Sequence, residues 1–339
     1  MRNIWEVREE GEEYSVKLQR YSSIFINYTS NEQKMLNNLI GYFQPRTKLK
    51  NKIKVLDKQD EFASLASQSY QIIQLSHNQI EEEIKLGNRS FLKDKVMNDI
   101  ARDIEADGYL MTVNTLLEDF IDSLDIELPL KYQKINFKSL LKFLKVDVDN
   151  INEKENENYY LQQNKVLIPI LMDHFKEKIN TPIIIFYLFP ETNLSFREQI
   201  QMKGLLTEVT KDFPVIVLTK SKIFLSDDYD GINYYNGRVQ MFTEELIEEL
   251  EWNSPINFTS DKLELSVLKI VKRYVDLFEI NPTISNYTDA DIILFDSIDL
   301  FVLTFILNRL RFKFRLDLDD ANIDAPVFQY LMKNYENIS

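Results

Sequence analysis

The sequences TPIIIFYLF at 181–189 and FPVIVLT at 213–219 decide the fold class of this chain. Continuous apolar runs of this length are typical of strands that are covered on both faces of a parallel sheet. Between them, Ser195 and Glu198 have the spacing of a capping box, which predicts a helix that extends to about Lys211. A strand, a helix and a second strand make a β-α-β crossover unit. The sequence therefore predicts a soluble α/β protein.

The segments on both sides of this unit enlarge the predicted sheet into a mostly parallel, nucleotide-binding-like sheet. Before it, residues 14–28 predict two short strands, residues 31–43 predict a helix, and residues 70–75 predict a further strand. After Pro255 helical periodicity dominates, with one alternating strand before a last helix from Pro326. The predicted domains are an α/β head in two parts (1–78 and 181–254), an inserted helical leg (79–180) and a C-terminal α/β extension (255–339).

The predicted leg begins with residues 79–124, which are helical in pattern, with a break at 87–88 and a weak point at Gly108. A shorter helix is predicted over 136–144, because four apolar residues recur there at helical spacing. Another helix is predicted over 159–178. Together these segments indicate a long helical arm inserted into the sheet domain.

Composition limits the classes of protein and of chemistry. The formal net charge of −14 opposes general attraction to nucleic acid, so DNA binding requires basic groups gathered on one surface. The absence of cysteine excludes disulfides, a thiolate nucleophile and a cysteine-ligated zinc site. The longest apolar run, 298–307, contains Asp299 and is too short for a membrane span, and the first residues lack a secretory signal pattern. These features favour a cytoplasmic protein.

The turn between the second predicted strand and its helix occupies the place of a phosphate-binding loop. Its residues Thr29 to Lys34 include no glycine and no Gly-Lys-Ser/Thr ending, which disfavours close approach of the backbone to a phosphate. His77 and His174 lie in unlike segments and do not indicate a metal site or a catalytic triad. The sequence therefore predicts a protein that is not an enzyme. The alternative is an NTP-dependent enzyme with an atypical phosphate-binding loop.

Basic residues recur in three sets with regular spacing. In PRTKLKNKIKV (45–55) and RLRFKFRL (309–316) they fall at every second position, so an extended strand would have one basic face. Around the predicted 136–144 helix they recur at helical spacing, with Lys145 as the last member. Such faces are often only solvated, but Lys and Arg that displace counterions suit phosphate contacts without sequence readout. The candidate DNA-binding residues are Arg46, Lys48, Lys50, Lys52, Lys54, Lys134, Lys138, Lys142, Arg309, Arg311, Lys313 and Arg315.

Carboxylates cluster near the end of the long helical stretch of the leg. Glu118 and Asp122 are four residues apart and Asp125 follows three residues later, so they can share one side of a helix. Negative charge at a helix carboxyl terminus opposes the helix dipole, and a bound calcium ion would relieve both repulsions. A solvated acidic patch is the alternative. The candidate metal ligands are Glu118, Asp119, Asp122, Asp125 and Glu127.

Several stretches, taken in order, resemble one known family. The family is the double-stranded-DNA-binding adaptation protein that is encoded fourth in type II-A CRISPR operons. The resemblance covers about 14–242, and the residues after Pro255 are similar to the long form of the family. The stretches are SIFINY (23–28), YQIIQL (70–75), INFKSLLKFLKV (135–146), PIIIFYLFPETNLSFREQIQ (182–201) and FPVIVLTKS (213–221).

This resemblance implies a head similar to a nucleotide-binding fold without a working phosphate loop, and a helical leg. It implies a homotetrameric ring whose lysine-lined hole holds linear double-stranded DNA, with calcium bound by leg carboxylates. It also implies a role in antiviral spacer acquisition, alongside an integrase and the effector nuclease. Pro129 and Lys131 make the stretch after the carboxylates less acidic than the family pattern. A further alternative is a helical scaffold that contacts only proteins.

Overall fold

The computed structural model describes residues 3–9, 11–26, 30–45, 47–88, 90–125, 128, 130–148, 158–178, 181–236 and 239–335. The chain divides into two compact units: Met1–Gln74 with Thr181–Ser339, called the head unit, and Leu75–Asn180, called the leg unit. The predicted α/β fold with inserted helices is confirmed. Within the described ranges, no helix combines the length and the apolar character that crossing a membrane requires.

Apart from the last residue of β6, the described strands lie in the head unit, and the described helices are divided between the two units. In chain order the strands are β1 (Asn3–Glu9), β2 (Glu12–Leu18), β3 (Tyr21–Phe25), β4 (Ile53–Asp57), β5 (Ala63–Leu65), β6 (Gln71–Leu75), β7 (Ile183–Leu188), β8 (Val215–Thr219), β9 (Ile232–Asn236), β10 (Val239–Gln240), β11 (Thr283–Ser285), β12 (Ile292–Ile293) and β13 (Arg315–Asp317). The helices are α1 (Ser30–Tyr42) in the head unit, α2 (His77–Ile84), α3 (Phe91–Arg102), α4 (Ala106–Asp122), α5 (Phe137–Leu140) and α6 (Tyr159–Lys178) in the leg unit, and α7 (Phe196–Val209), α8 (Glu244–Asn253), α9 (Ser260–Tyr274), α10 (Ser297–Arg309) and α11 (Ala325–Tyr335) in the head unit.

A six-stranded sheet in the order β10-β9-β3-β8-β7-β6 lies at the centre of the head unit. Strands β9, β3, β8 and β7 are parallel, and β10 is an antiparallel edge. Every residue of β7 and β8 is buried, which explains their continuous apolar sequences. The helix between them begins with the predicted capping box, in which the Ser195 N–H donates to Glu198 Oε2 at 2.7 Å. The β-α-β unit is therefore present as predicted.

A four-stranded antiparallel sheet in the order β2-β1-β4-β5 packs against the parallel sheet. The sequence analysis did not predict this sheet, because β1 alternates with charged residues and β5 has only three residues. The side chains of Trp5, Val16 and Val55 are fully buried in the same core as Ile24 and Ile216 of the parallel sheet. One hydrophobic core therefore lies between the two sheets.

The residues after 255 share a second core with the parallel sheet. Phe301 of α10 and Ile270 of α9 are buried in one cluster with Tyr234 of β9. The buried Asp299 accepts a hydrogen bond of 2.6 Å from Ser266 Oγ, which joins α10 to α9. A small parallel sheet in the order β12-β11-β13 completes this part of the head unit.

In the leg unit, the predicted break at 87–88 separates α2 from α3, and the predicted helix over 159–178 is α6. The predicted weak point at Gly108 is wrong, because this residue lies inside α4. The break falls instead at 103–105, where Asp103 Oδ1 accepts the Glu105 N–H at 2.9 Å and competes with the helical pattern. The predicted helix over 136–144 is shorter than expected, since a 3-10 turn follows α5 at Leu141–Phe143.

Glu83 is a fully buried carboxylate that connects α2 to α3 in the leg unit. Its oxygens accept hydrogen bonds from the N–H groups of Phe91 and Leu92, at 3.1 and 2.9 Å, and from Ser90 Oγ at 2.7 Å. The first amides of a helix have no partner within the helix, and its dipole favours a negative charge at this end. Glu83 therefore holds the start of α3 against α2.

Replacing Glu83 by Ala is expected to destabilise the leg unit by about 3 kcal/mol, because several buried donors lose their acceptor together. Hydrogen exchange should show reduced protection of the amides at 91–95. Glu82→Ala is the control, since it removes an exposed carboxylate at the neighbouring position and should change stability by less than about 0.5 kcal/mol. Equal protection in the two variants would contradict this role for Glu83.

Candidate nucleic-acid interface

The first basic set lies on a turn, which corrects the prediction of a single extended strand with one basic face. Residues Leu49–Asn51 form a 3-10 helix, and of the described lysines in this set only Lys54 belongs to β4. Thr47 Oγ1 accepts the Leu49 N–H at 3.1 Å, and the Leu49 carbonyl accepts the Lys52 N–H at 2.9 Å. These local bonds compete with strand pairing and bend the chain. Arg46, the remaining member of the set, lies outside the described residues.

This turn presents its lysine side chains to solvent. We call this segment the lysine turn. Its exposed lysines are Lys48, Lys50, Lys52 and Lys54. The described residues offer no ion-pair partner to Lys48, Lys50 or Lys54. Lys54 of β4 lies opposite Arg8 of β1. The Arg8 guanidinium is paired with Glu6 at 2.6 Å and with Glu13 at 3.0 Å. The lysine turn is therefore a locally positive segment in an acidic chain.

The second basic set also departs from the predicted strand. Arg309 ends α10, and β13 begins only at Arg315. Between them Arg311 has a φ of 60°, and the N–H groups of Arg311 and Phe312 donate to carbonyls of the last helical turn, both at 2.9 Å. These are the hydrogen bonds of a Schellman helix end. The predicted strand over 309–316 is therefore confirmed only at its last two residues, which belong to β13, because the preceding residues form a helix end.

The members of the second set differ in their availability to a ligand. Arg309 Nη1 lies 2.7 Å from Glu249 Oε2, and only 25% of the Arg309 side chain is exposed. Arg311, Lys313 and Arg315 are exposed and form no ion pair with any described residue. Three of the four predicted side chains are thus free to contact a phosphate, whereas Arg309 is paired with Glu249 of α8.

The third basic set lies in the leg unit beside the acidic set. Lys134 Nζ is 3.3 Å from Glu118 Oε1 of α4, so a predicted DNA-binding residue is paired with a predicted metal ligand. Lys138, Lys142 and Lys145 are exposed, and no described carboxylate lies within ion-pair distance of them.

The acidic set does not form a ready-made metal site. In the ranges that the structure describes, no three carboxylate or histidine side chains converge on one point where a metal ion could bind. Asp119 and Asp122 lie exposed in the last turns of α4, but the helix ends at Asp122 and Asp125 follows it. The helical spacing on which the prediction rested therefore stops before Asp125. Glu127 lies outside the described residues.

The carboxyl edge of the parallel sheet, where folds of this class bind ligands, is filled by Glu191. Glu191 Oε2 accepts a hydrogen bond of 2.9 Å from Thr219 Oγ1, and Oε1 accepts the Lys220 N–H at 2.7 Å. Burial raises the pKa of the Glu191 carboxyl in spite of these hydrogen bonds. A phosphate here would need the same donors and would meet this carboxyl group. Sequence reasoning missed Glu191 because its partners lie at the end of a different strand.

The turn that the sequence analysis compared with a phosphate-binding loop is described only in part. Residues 27–29 and the side chains at 30–33 lie outside the described set, while Lys34 is an exposed residue of α1.

No family model matches this chain, and no curated protein matches it. Among solved structures, Stu0660 of Streptococcus thermophilus is similar to it, with a TM-score of 0.59 and 14% sequence identity. The match covers 98% of this chain and 99% of Stu0660. A likeness at this identity concerns the fold alone. The whole described chain, with its sheets, its inserted helices and its C-terminal part, therefore has a fold that a protein solved by crystallography shares.

Proposed function

We propose that this chain is a non-catalytic protein that binds double-stranded DNA, prefers linear ends, and works as a homotetrameric ring in CRISPR spacer acquisition. The lysine turn carries this proposal, because its exposed Lys48, Lys50 and Lys54 have no carboxylate partner among the described residues and are therefore available to phosphates. The sequence resemblance supplies the CRISPR context and the partners, an integrase and the effector nuclease. The full-length likeness to Stu0660 supports the fold that this resemblance implies.

In this proposal the phosphate backbone is the main contact. The described lysines of the turn and the exposed Arg311, Lys313 and Arg315 provide positive charge without the side-chain pattern of base readout. Binding should therefore be independent of sequence and should weaken steeply with salt. We also propose that the leg carboxylates bind calcium. The proposed DNA contacts do not require this ion, since the described carboxylates do not converge on one point.

Mobility-shift assays on one plasmid, in circular and in linear form, test the proposal. We expect binding to the linear form at low salt and a loss of roughly a thousandfold in affinity between about 50 and 200 mM salt. Parallel lanes with calcium or with a chelator test the metal. Failure to bind either form at low salt would contradict the proposal. Equal binding to both forms would contradict only the preference for linear ends.

Calorimetry with ATP and magnesium distinguishes the DNA-binding proposal from the alternative of an NTP-dependent enzyme. Because Glu191 already takes the donors at the sheet edge, we expect no saturable heat. Saturable binding would favour the alternative. Unchanged nucleic-acid behaviour after charge reversal of the lysine turn would favour the protein-only scaffold.

A further inference from the structure

Trp252, in the last turn of α8 in the head unit, is 90% exposed, although tryptophan is highly buried on average. The other tryptophan of the chain, Trp5, is fully buried. The Trp252 side chain leaves on the order of 200 Å² of aromatic surface in contact with solvent. Tryptophan is enriched among the residues that contribute most to binding at protein interfaces. Trp252 is therefore a candidate anchor for another molecule.

Carboxylates share the outer face of α8 with Trp252. Glu245, Glu248 and Trp252 fall at spacings of three and four residues, and all three are exposed. Leu246 and Leu250, on the opposite face, are buried. Glu248 forms no ion pair with any described residue. The last turn of α8 has no basic residue, and the negative end of the helix dipole lies there, so a positive charge beside Trp252 would be stabilised.

A surface cavity of about 440 Å³ begins at the residue next to Trp252. Its lining includes the acidic Glu251 and Asp261 and the ring of Phe258. Ser260 Oγ donates a hydrogen bond of 2.8 Å to Glu251 Oε2, which holds this carboxylate at the cavity. An apolar ring beside two carboxylates suits a Lys or Arg side chain, which has an apolar stem and a charged end. The acidic and aromatic residues of this surface, called the Trp252 face, are Glu245, Glu248, Glu251, Trp252, Phe258 and Asp261.

The negative charge continues along α9, beyond the cavity. Burial raises the pKa of the Glu264 carboxyl, and the charges of Asp230, Asp228 and Asp261 raise it further. The sequence from 243 to 264 contains seven acidic residues and a single basic one, Lys262. Repulsion between carboxylates of this kind is relieved when a positive charge lies near them.

The sign of this charge selects the kind of molecule that fits the Trp252 face. DNA and anionic membrane surfaces are repelled by carboxylates. A second copy of this chain carries a net charge of −14 and is repelled as a whole. A basic protein segment has the complementary charge, and its Lys or Arg side chains can also stack on a tryptophan ring.

We propose that the Trp252 face binds an arginine- or lysine-rich segment of a partner protein. One basic side chain of the segment stacks on the Trp252 ring, and another enters the cavity, where its stem packs on Phe258 and its charge meets the two carboxylates. This inference rests on the proposed function only for the source of the segment, since proteins that act on DNA carry basic segments. The Trp252 face shares no residue with the lysine turn, so the two contacts can be tested separately.

Tryptophan fluorescence of the full chain tests the inference, because Trp252 is exposed and Trp5 is buried. The probe is a labelled peptide of alternating arginine and glycine, and its counterpart is a peptide of alternating glutamate and glycine. We expect the arginine peptide to bind saturably and to protect Trp252 from quenching by acrylamide. The glutamate peptide should not bind.

Two variants locate the binding site on the Trp252 face. Trp252→Ala should lower the affinity for the arginine peptide at least about tenfold, because the stacking partner is lost. Glu251→Gln with Asp261→Asn should lower it by a similar factor, because the cavity loses both charges while its shape is kept. Anisotropy of the labelled peptide measures both effects, and circular dichroism checks that each variant is folded.

Matched controls separate the Trp252 face from general attraction to an acidic chain. Phe196→Ala removes an aromatic side chain that is 66% exposed on α7. Asp289→Asn with Asp320→Asn removes two exposed carboxylates elsewhere in the head unit, and so changes the net charge equally. Both controls should keep the affinity for the arginine peptide.

The results that would overturn the inference are no saturable binding, no protection of Trp252, or equal losses in the variants and the controls. Sedimentation of Trp252→Ala should give the wild-type mass, and a lower mass would overturn the inference by showing that a second copy covers the face. DNA affinity separates this inference from the proposed function. A chain that binds DNA but not the arginine peptide would overturn the inference alone, and one that binds the peptide but not DNA would overturn the proposed function alone.

Discussion

A variant in which Lys48, Lys50 and Lys54 are replaced by Glu is expected to lose at least about 100-fold in affinity for linear duplex DNA at low salt. The three side chains are exposed and have no ion pair among the described residues, so each is free to displace a counterion from the DNA. Removing three phosphate contacts should also lower the slope of log affinity against log salt by roughly 2 to 3. The measurement is a mobility shift or fluorescence titration at several salt concentrations.

A matched control separates local contact from overall charge. Lys262, Arg273 and Lys333 are also exposed and unpaired among the described residues, so their replacement by Glu changes the net charge equally. We expect that control to keep most of the affinity and the salt slope. Equal losses in the two triple variants would show that net charge, and not the lysine turn, determines binding.

Replacing Asn233 by Ala is expected to destabilise the head unit by about 4 kcal/mol, because this one side chain joins the two sheets through several buried hydrogen bonds. Asn233 lies in β9, and its Oδ1 accepts the Lys17 N–H of β2 at 2.8 Å. Its Nδ2 donates to the Lys17 carbonyl at 3.0 Å and to the Ser23 carbonyl at 3.3 Å. Gln240 Nε2 donates to the same Oδ1 at 2.7 Å, so the variant leaves donors and acceptors unpaired in the interior.

Urea unfolding measures this effect as a lower midpoint with an unchanged slope. The control is Asn253→Ala at the end of α8, where Nδ2 donates to the Glu249 carbonyl at 2.8 Å but the residue is exposed. Because water replaces that bond, the control should lose less than about 1 kcal/mol. A similar loss in both variants would contradict the role of Asn233 as the join between the sheets. Lys54 of the lysine turn lies in β4 of the four-stranded sheet, so we also expect weaker DNA binding in the Asn233 variant near its unfolding midpoint.

Much of the fold could be predicted because its signals are local. The buried strands β7 and β8, the capping box at Ser195 and the bounds of α6 follow from apolar runs and from residue pairs a few positions apart. The four-stranded sheet was missed, since its strands alternate with charged residues that pair across the sheet.

The candidate site was predicted less well, because its backbone conformation and its ion pairs depend on residues that are distant in the sequence. Alternating basic residues at 45–55 and 309–316 suggested strands, yet the first belongs largely to a turn and the second to a helix end. The pattern correctly indicated that most of the described basic side chains are exposed, although Arg309 is largely covered. It could not indicate which of them are already paired.

What the sequence by itself determined is the α/β class, the inserted helical segment and the exposure of most basic side chains, since these depend on near neighbours and on burial. What only the tertiary structure decided is which groups are available. Glu249 forms an ion pair with Arg309, and Glu118 forms one with Lys134. Glu191 occupies the sheet edge where a phosphate would bind. In each case the partner lies many positions away along the chain, and hydrogen bonds and ion pairs act over a few ångströms, so only the folded chain brings the partners together.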